Sequence, residues 1–439
     1  MREELLEVED QLLRELTGKF VNITDPKRRH DMLVAGIKTI RPQSDSHDIA
    51  EIIDDINDLG KVQELVEDQD IEDIMVNNTS SIFVYNSKKG IVKVDDIHFD
   101  DKDHLTRFVN KLKLFATNQT ANGKIMDVHM PTGSRANIIF SPLGYDVTIR
   151  NFRSNPYSIL DLINAGEMDY RIAARMWLYT DGFKVRPANI IIGGVPAAGK
   201  TTMLNSFFSF FRPEARIVTI EETYELNTST QENTVKLETS QDLPMVDLVK
   251  NALRMRPDMI IIGEVRGAEA NDMLAAMNVG KIAMTTIHAS STRDIINRLE
   301  HAPMDVPRDI LPAIDALFIV AYVYHNGVPM RRVVQMSEIS GIETQVLLSD
   351  MYRFDYRTHQ AAPILPSVTY RDTISKLLGV SPSDILAEEA VRERVLFQLN
   401  RLGKRDIKSI SEMVQAYYDN PEKLLKDIGL NNISPAVSV

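Results

Sequence analysis

The segment ANIIIGGVPAAGKTTMLNSFF, residues 188–208, leaves the chain little choice of fold. It joins a β-branched run, Ile190 to Ile192, to a helix-compatible stretch through a glycine-rich turn. Within it Gly194, Val195, Pro196, Ala197, Ala198, Gly199, Lys200 and Thr201 match G-x-x-x-x-G-K-[ST] at every position. In such a loop the glycines let backbone N–H groups converge on phosphate oxygens, and the helix N-terminus adds its positive end. Lys200 would reach the β- and γ-phosphates and the Thr201 hydroxyl would ligate Mg²⁺, with Thr202 next in the same turn. ATP with Mg²⁺ is the ligand this loop implies.

Three strands are legible downstream, each ending in polar residues. RIVTIEETYEL carries a run from Arg216 to Ile220 that delivers Glu221, Glu222 and Glu225. DLVKNALRMRPDMIIIGEVRG supplies a helix, Pro257 and the apolar run Ile260 to Ile262, then Gly263 and Glu264. IAMTTIHAS ends in His288. Carboxylates at the C-terminal ends of strands in an open α/β sheet stand beside the ligand crevice, so these ends and the loop are expected at one site. Glycine at 263, just past the apolar run where an aspartate is usual, leaves two readings open. The segment is a hydrolytic site with an unusual strand, or a strand that ends in a turn.

Around this core the chain reads as a mosaic. Residues 1–60 are acidic and helical, with apolar residues at three-to-four spacing as in DIAEIIDDINDLG. Residues 61–150 alternate strand and helix signals, a small α+β domain. Residues 151–169, RSNPYSILDLINAGEMD and its flanks, read as a linker or hinge. Residues 170–345 carry the parallel α/β pattern. Residues 346–439 are expected to be helical, punctuated by Pro363, Pro366, Pro382 and Pro421.

Composition limits the function classes. The formal net charge of -12 argues against a general affinity for nucleic acid or anionic lipid. With no cysteine, disulfides, thiol catalysis and Cys-based zinc sites are excluded. The charged start MREELLEVEDQLL is no signal peptide. LPAIDALFIVAYVY, interrupted by Asp315, falls short of the roughly 18 apolar residues of a membrane span.

These residues together resemble the hexameric secretion ATPases of type II and type IV secretion, type IV pili and the archaellum. GVPAAGKT resembles their phosphate loop and TIEETYEL their acidic box, with Glu222 where an aspartate is usual. IIIGEVRG is similar to the family's Walker B segment, in which glycine before the glutamate is a habit, and TTIHASS to its histidine box. In the N-terminal half, IEDIMVN, MPTGSRAN and VTIRNF resemble the marks of the family's PAS-like domain. Lys281 stands where many relatives carry the first of two histidines. The spacing from Gly280 to His288 looks more like the archaeal branch.

The resemblance implies a RecA-like P-loop ATPase domain, a smaller α+β PAS-like domain, and helical extensions at both ends. It makes Glu264 the carboxylate that polarises attacking water, places Glu221 and Glu222 near Mg²⁺ and the γ-phosphate, and has His288 sense or position that group. Thr201 and Glu222 would be the metal-side residues. Arg135, Arg150 and Arg153 become phosphate or trans contacts. Arg254, Arg256 and Arg266 flank the site, and each serves equally well in a surface ion pair. The partners implied are further copies of the chain in a ring of six and a polytopic membrane platform protein. The setting is cytoplasmic, at the membrane's inner face, with membrane contact indirect and no stable nucleic acid. A RecA-like nucleic-acid translocase and a nucleotide-gated scaffold with negligible hydrolysis are the rival functions. The lack of a basic, aromatic-interleaved segment weighs against the first.

Overall fold

The computed structural model describes residues 3–437 apart from 22, 24, 88, 120–123, 153–155, 241, 326–327 and 359. The chain divides into two compact units, Met1–Asn155 and Pro156–Val439.

The first unit opens with three helices, α1 (Glu3–Glu15), α2 (Pro26–Ile40) and α3 (Ser46–Asn57). Asp25 and Asp45 cap α2 and α3 by accepting from backbone N–H groups of the first turn. Their apolar stripes meet around Leu5, Leu12, Leu33, Ile37 and Ile52, and Leu114 from further along the chain joins them. The expected boundary near residue 60 therefore does not separate two bodies.

After α4 (Lys61–Glu67) come β1 (Ile71–Val76), β2 (Ile82–Asn86), β3 (Gly90–Val94), α5 (Lys102–Lys113), β4 (Ala116–Gln119), β5 (Ile125–His129), β6 (Arg135–Ser141) and β7 (Gly144–Arg150). The strands form one sheet in the order β3-β2-β1-β7-β6-β5-β4, with every pairing antiparallel. Alternate residues such as Ile74, Ile138, Val147 and Ile149 pack with α4 and α5. The opposite face carries a row of polar neighbours in register, His129, Arg135, Arg150 and Asp73.

The second unit contains α6 (Ile159–Asn164), α7 (Tyr170–Asp181), β8 (Ile190–Gly194), α8 (Lys200–Ser206), β9 (Ile217–Glu221), β10 (Thr234–Glu238), α9 (Met245–Ala252), β11 (Met259–Ile262), α10 (Glu269–Asn278), β12 (Ala283–His288) and α11 (Thr292–Glu300). It continues with β13 (Ala316–His325), β14 (Val328–Ile342), β15 (Val346–Asp355), β16 (Gln360–Pro363), α12 (Thr369–Leu378), α13 (Pro382–Arg401), α14 (Ile407–Asp419) and α15 (Pro421–Asp427). The sheet runs β10-β9-β11-β12-β8-β13-β14-β15-β16. It is parallel from β10 to β13 and antiparallel beyond.

The isoleucine runs are continuous because both faces are covered. Ile190, Ile192 and Ile261 point into the core shared with α7, α8, α13 and α14. Ile191, Ile260 and Ile262 point into the core shared with α9, α10 and α11. This is the expected RecA-like α/β layer.

Two expectations need correction. The chain is not helical from 346, since β15 and β16 extend the sheet and the helical tail begins at Thr369. The segment 156–169 is not a free linker, since Ile159, Leu160 and Leu162 of α6 are buried in the second unit's core.

Candidate active site

The phosphate loop is built on close approach. A Cβ on Gly194 would lie 2.6 Å from the Val320 carbonyl oxygen on β13, so no side chain fits there. Gly199 takes φ +99 at the N-cap of α8, a conformation that only glycine adopts without strain. Ala197 is left-handed as well, at φ 60. Lys200 begins α8 and is buried, and Thr201 and Thr202 follow it half-buried in the first turn. Ala198 is buried in the loop itself.

The parallel order β9-β11-β12-β8 then sets four strand ends side by side, about 5 Å apart from one strand to the next. A chain of polar contacts runs along them in the same order. Lys200 Nζ lies 3.2 Å from His288 Nδ1 and 3.4 Å from the Val195 carbonyl oxygen. His288 Nε2 lies 2.8 Å from Glu264 Oε1. Arg266 donates to Glu264 Oε2 at 3.0 Å and to Glu222 Oε2 at 3.3 Å.

An ammonium can only donate, so Nδ1 of His288 accepts from Lys200 and Nε2–H faces Glu264. Burial first, and then the Lys200 charge, press the His288 pKa below the ordinary imidazole value. The ring is therefore neutral at pH 7.

Gly263 lies against Glu221. A Cβ there would sit 3.3 Å from Glu221 Cγ, a tight contact to which the Glu221 side chain would have to yield by a few tenths of an ångström. Around it Gly263 donates to the Ile220 carbonyl and Val265 to the Thr286 carbonyl. The backbone thus stays in the ladder on both sides of Glu264.

Glu221 serves the loop rather than Lys200. Its Oε1 accepts from the N–H groups of Glu225 and Leu226 at 2.8 and 2.9 Å. Burial pushes its carboxyl up to about 7, against those two donors, and Oε2 is buried without a hydrogen-bond partner. Glu222 is exposed and held by Arg266.

Of the other expected residues, Arg135 and Arg150 are cross-strand partners in the first unit, and Arg153 lies outside the described residues. Arg254 and Arg256 precede β11 and so belong to the opposite edge of the sheet from Glu264. Lys281 precedes β12, seven residues and about 20 Å of extended chain from His288.

Several supporting residues escaped the sequence reading. Glu269 Oε1 accepts from the N–H groups of Arg266 and Gly267, which shapes the turn after Glu264. Asn205 of α8 bonds Glu225 and Asn227, pinning the loop after β9. Tyr322 and Arg331 reach the phosphate loop from β13 and β14, a placement that only the fold reveals.

The residues present fit Mg²⁺ carried with a nucleotide. The Thr201 hydroxyl and the strand-end carboxylates are hard oxygen donors, and Mg²⁺ commonly takes one or two protein oxygens and completes its shell with phosphates and water. The glycines at 194 and 199 leave a cradle that a Cβ would fill.

The family model for type II/IV secretion system proteins matches residues 55–318, more than half the chain. The chain belongs to this family. Among the relatives of this chain is an uncharacterised protein of Methanocaldococcus jannaschii, 30% identical over 382 residues, covering 83% of this chain and 68% of that one. The archaeal likeness expected from the Gly280–His288 spacing has its counterpart there. The conjugal transfer protein TrbB of Rhizobium radiobacter is 32% identical over 170 residues, 37% of this chain and 52% of TrbB. Among solved structures, the pilus retraction motor PilT with bound ADP covers 86% of this chain and 97% of its own at 15% identity, with a TM-score of 0.47.

Proposed function

We propose that this secretion-family chain hydrolyses ATP as a subunit of a ring, six copies round. The ring powers filament assembly, secretion or rotation by a type IV pilus, archaellum or type II-like machine at the cytoplasmic membrane face. The observation that carries the reading is the contact chain Lys200–His288–Glu264–Arg266–Glu222, laid along adjacent strand ends beside a complete phosphate loop.

In this reading ATP phosphates draw Lys200 away from His288 and the Val195 carbonyl. Glu264, held between His288 and Arg266, then accepts a proton from the attacking water. Arg266 keeps the carboxylate aimed and ties it to Glu222, so the loops after β9 and β11 respond together. Thr201 and Glu222 would hold Mg²⁺ with the nucleotide, and the ion would offset phosphate charge. Glu221 holds the loop that presents Glu222. Arg135, Arg150 and Arg153 supply phosphate or trans contacts. Differential affinity of ATP and ADP for two arrangements of the units would do the mechanical work, delivered to a polytopic membrane platform protein. Among the described residues no helix is long and apolar enough to cross a membrane, which suits work through such a partner.

Binding of Mg·ATP to the wild type and to Lys200→Ala, with and without EDTA, tests the nucleotide site. Loss of at least tenfold in affinity with the variant, and loss of turnover with EDTA, is expected. A Lys200→Ala protein that hydrolyses ATP like the wild type refutes the reading. Hydrolysis stimulated by DNA would favour a nucleic-acid translocase instead.

A further inference from the structure

The phosphate loop has a wall that the family motifs do not name. At Ile319/Val320 the β13–β14 ladder shifts register by one residue, and from there Tyr322 lies directly opposite Arg331. Bulges of this kind re-aim side chains. The Tyr322 hydroxyl donates to the Ala197 carbonyl at 2.7 Å. Arg331 in turn donates to the Tyr322 hydroxyl at 3.4 Å, with its guanidinium 5.8 Å from the centre of the Tyr322 ring. The Arg331 stem also lines Gly199, whose Cβ would lie 3.2 Å from Arg331 Cδ. Buried Glu167 closes the cluster. Its Oε1 would lie 3.7 Å from the same Cβ, its carbonyl accepts from Val333 N at 2.7 Å, and burial pushes its carboxyl up to about 7 against the opposing charges of Arg331 and Arg332.

The bond to Ala197 falls where the loop is strained. Alanine at φ 60 is an uncommon conformation that must be held by its surroundings. The next N–H, of Ala198, points to the Val195 carbonyl, the same oxygen that meets Lys200 Nζ inside the loop. In a trans peptide the C=O opposes the N–H, so the Ala197 carbonyl points outward, to Tyr322. A flipped peptide would instead aim a carbonyl oxygen at the phosphates.

We propose that Tyr322, backed by Arg331, is a positioning residue for nucleotide phosphates: it holds the Ala197–Ala198 peptide so that its C=O is kept out of the phosphate cradle. The inference rests on the nucleotide-binding reading above and adds a residue to it. The Tyr322 hydroxyl thereby acts on ATP without touching it.

The test is a titration of Mg·ATP into the wild type, Tyr322→Phe, and Tyr322→Phe combined with Ala197→Gly, with melting temperatures measured alongside. Tyr322→Phe is expected to bind about five- to tenfold more weakly, the range of one net hydrogen bond, with its melting temperature held. Glycine takes the left-handed conformation without strain, so the Ala197→Gly change is expected to restore most of the lost affinity. A purely structural role for Tyr322 has no reason to be rescued at residue 197. Wild-type affinity in Tyr322→Phe, or a loss that glycine does not repair, overturns the proposal. A wild type that fails to bind Mg·ATP overturns the nucleotide reading itself. Should Tyr322→Phe not fold, Arg331→Lys keeps the charge but loses the guanidinium contact, and is expected to weaken binding by a smaller factor with the same rescue. A folded Arg331→Lys protein with unchanged affinity also contradicts the proposal.

Discussion

At the scale of single residues, the oddest feature of the sequence, glycine at 263 where an aspartate is usual, stands against Glu221, which leaves tight room for a Cβ. Restoring the usual residue should therefore do harm. Gly263→Asp puts a second carboxylate against Glu221 and is expected to cut ATP turnover at least about tenfold, a loss of roughly 1.4 kcal/mol in transition-state stabilisation, read by phosphate release. Undiminished turnover would remove this explanation of the glycine. Buried carboxyls also leave a signature in pH. Burial raises Glu221 and Glu167 from the ordinary value of 4.5 to about 7. Between those limits the folded chain holds protons that the unfolded chain has released, so raising the pH favours unfolding. The stabilisation is complete below pH 4.5 and is lost as pH passes through about 7. The thermal midpoint of the wild type is expected to fall from pH 5 to pH 8, and less steeply for the Glu167→Gln/Glu221→Gln double variant. Equal slopes would show that neither carboxyl titrates so high.

At the scale of elements, what the sequence reveals follows from which signals are local. The phosphate loop, the buried isoleucine runs and the helix after Lys200 carry their own patterns, so β8, β9, β11, β12 and α8 were legible. So was the convergence of Glu264, His288 and Lys200, because parallel strands must bring their C-terminal ends to one edge. The antiparallel extension was not. β15 shows no clean alternation, its burial running mixed along the strand, so residues from 346 read as helix. Tyr322 and Arg331 were missed for the same reason, since they meet the loop only once β13 is seated beside β8 and paired with β14. The packing of α7 on α13 offers an energetic test away from the site. Arg175 and Glu389 are bonded bidentately across that contact, both largely buried. Arg175→Ala should cost on the order of 3–5 kcal/mol by stranding the carboxylate, whereas Arg175→Met with Glu389→Leu should be near neutral. Urea unfolding of both distinguishes a stranded charge from lost packing, which would leave the double variant as unstable as the single one.

At the scale of the whole molecule, the chain is two compact units, and the second holds every residue of the contact chain from Lys200 to Glu222. Lys281 stands a full strand length from His288. His288 contacts both Lys200 and Glu264. Glu264, so placed, is the carboxylate through which we propose that a ring of these chains hydrolyses ATP. The measurement that tests it most directly is steady-state ATP hydrolysis by the wild type and by Glu264→Gln across protein concentration, with oligomer mass followed in parallel. The expected result is a specific activity that rises as rings form, and a variant that binds ATP yet turns over at least about a hundredfold slower, a loss of roughly 2.7 kcal/mol. Equal turnover by the two proteins would contradict the claim.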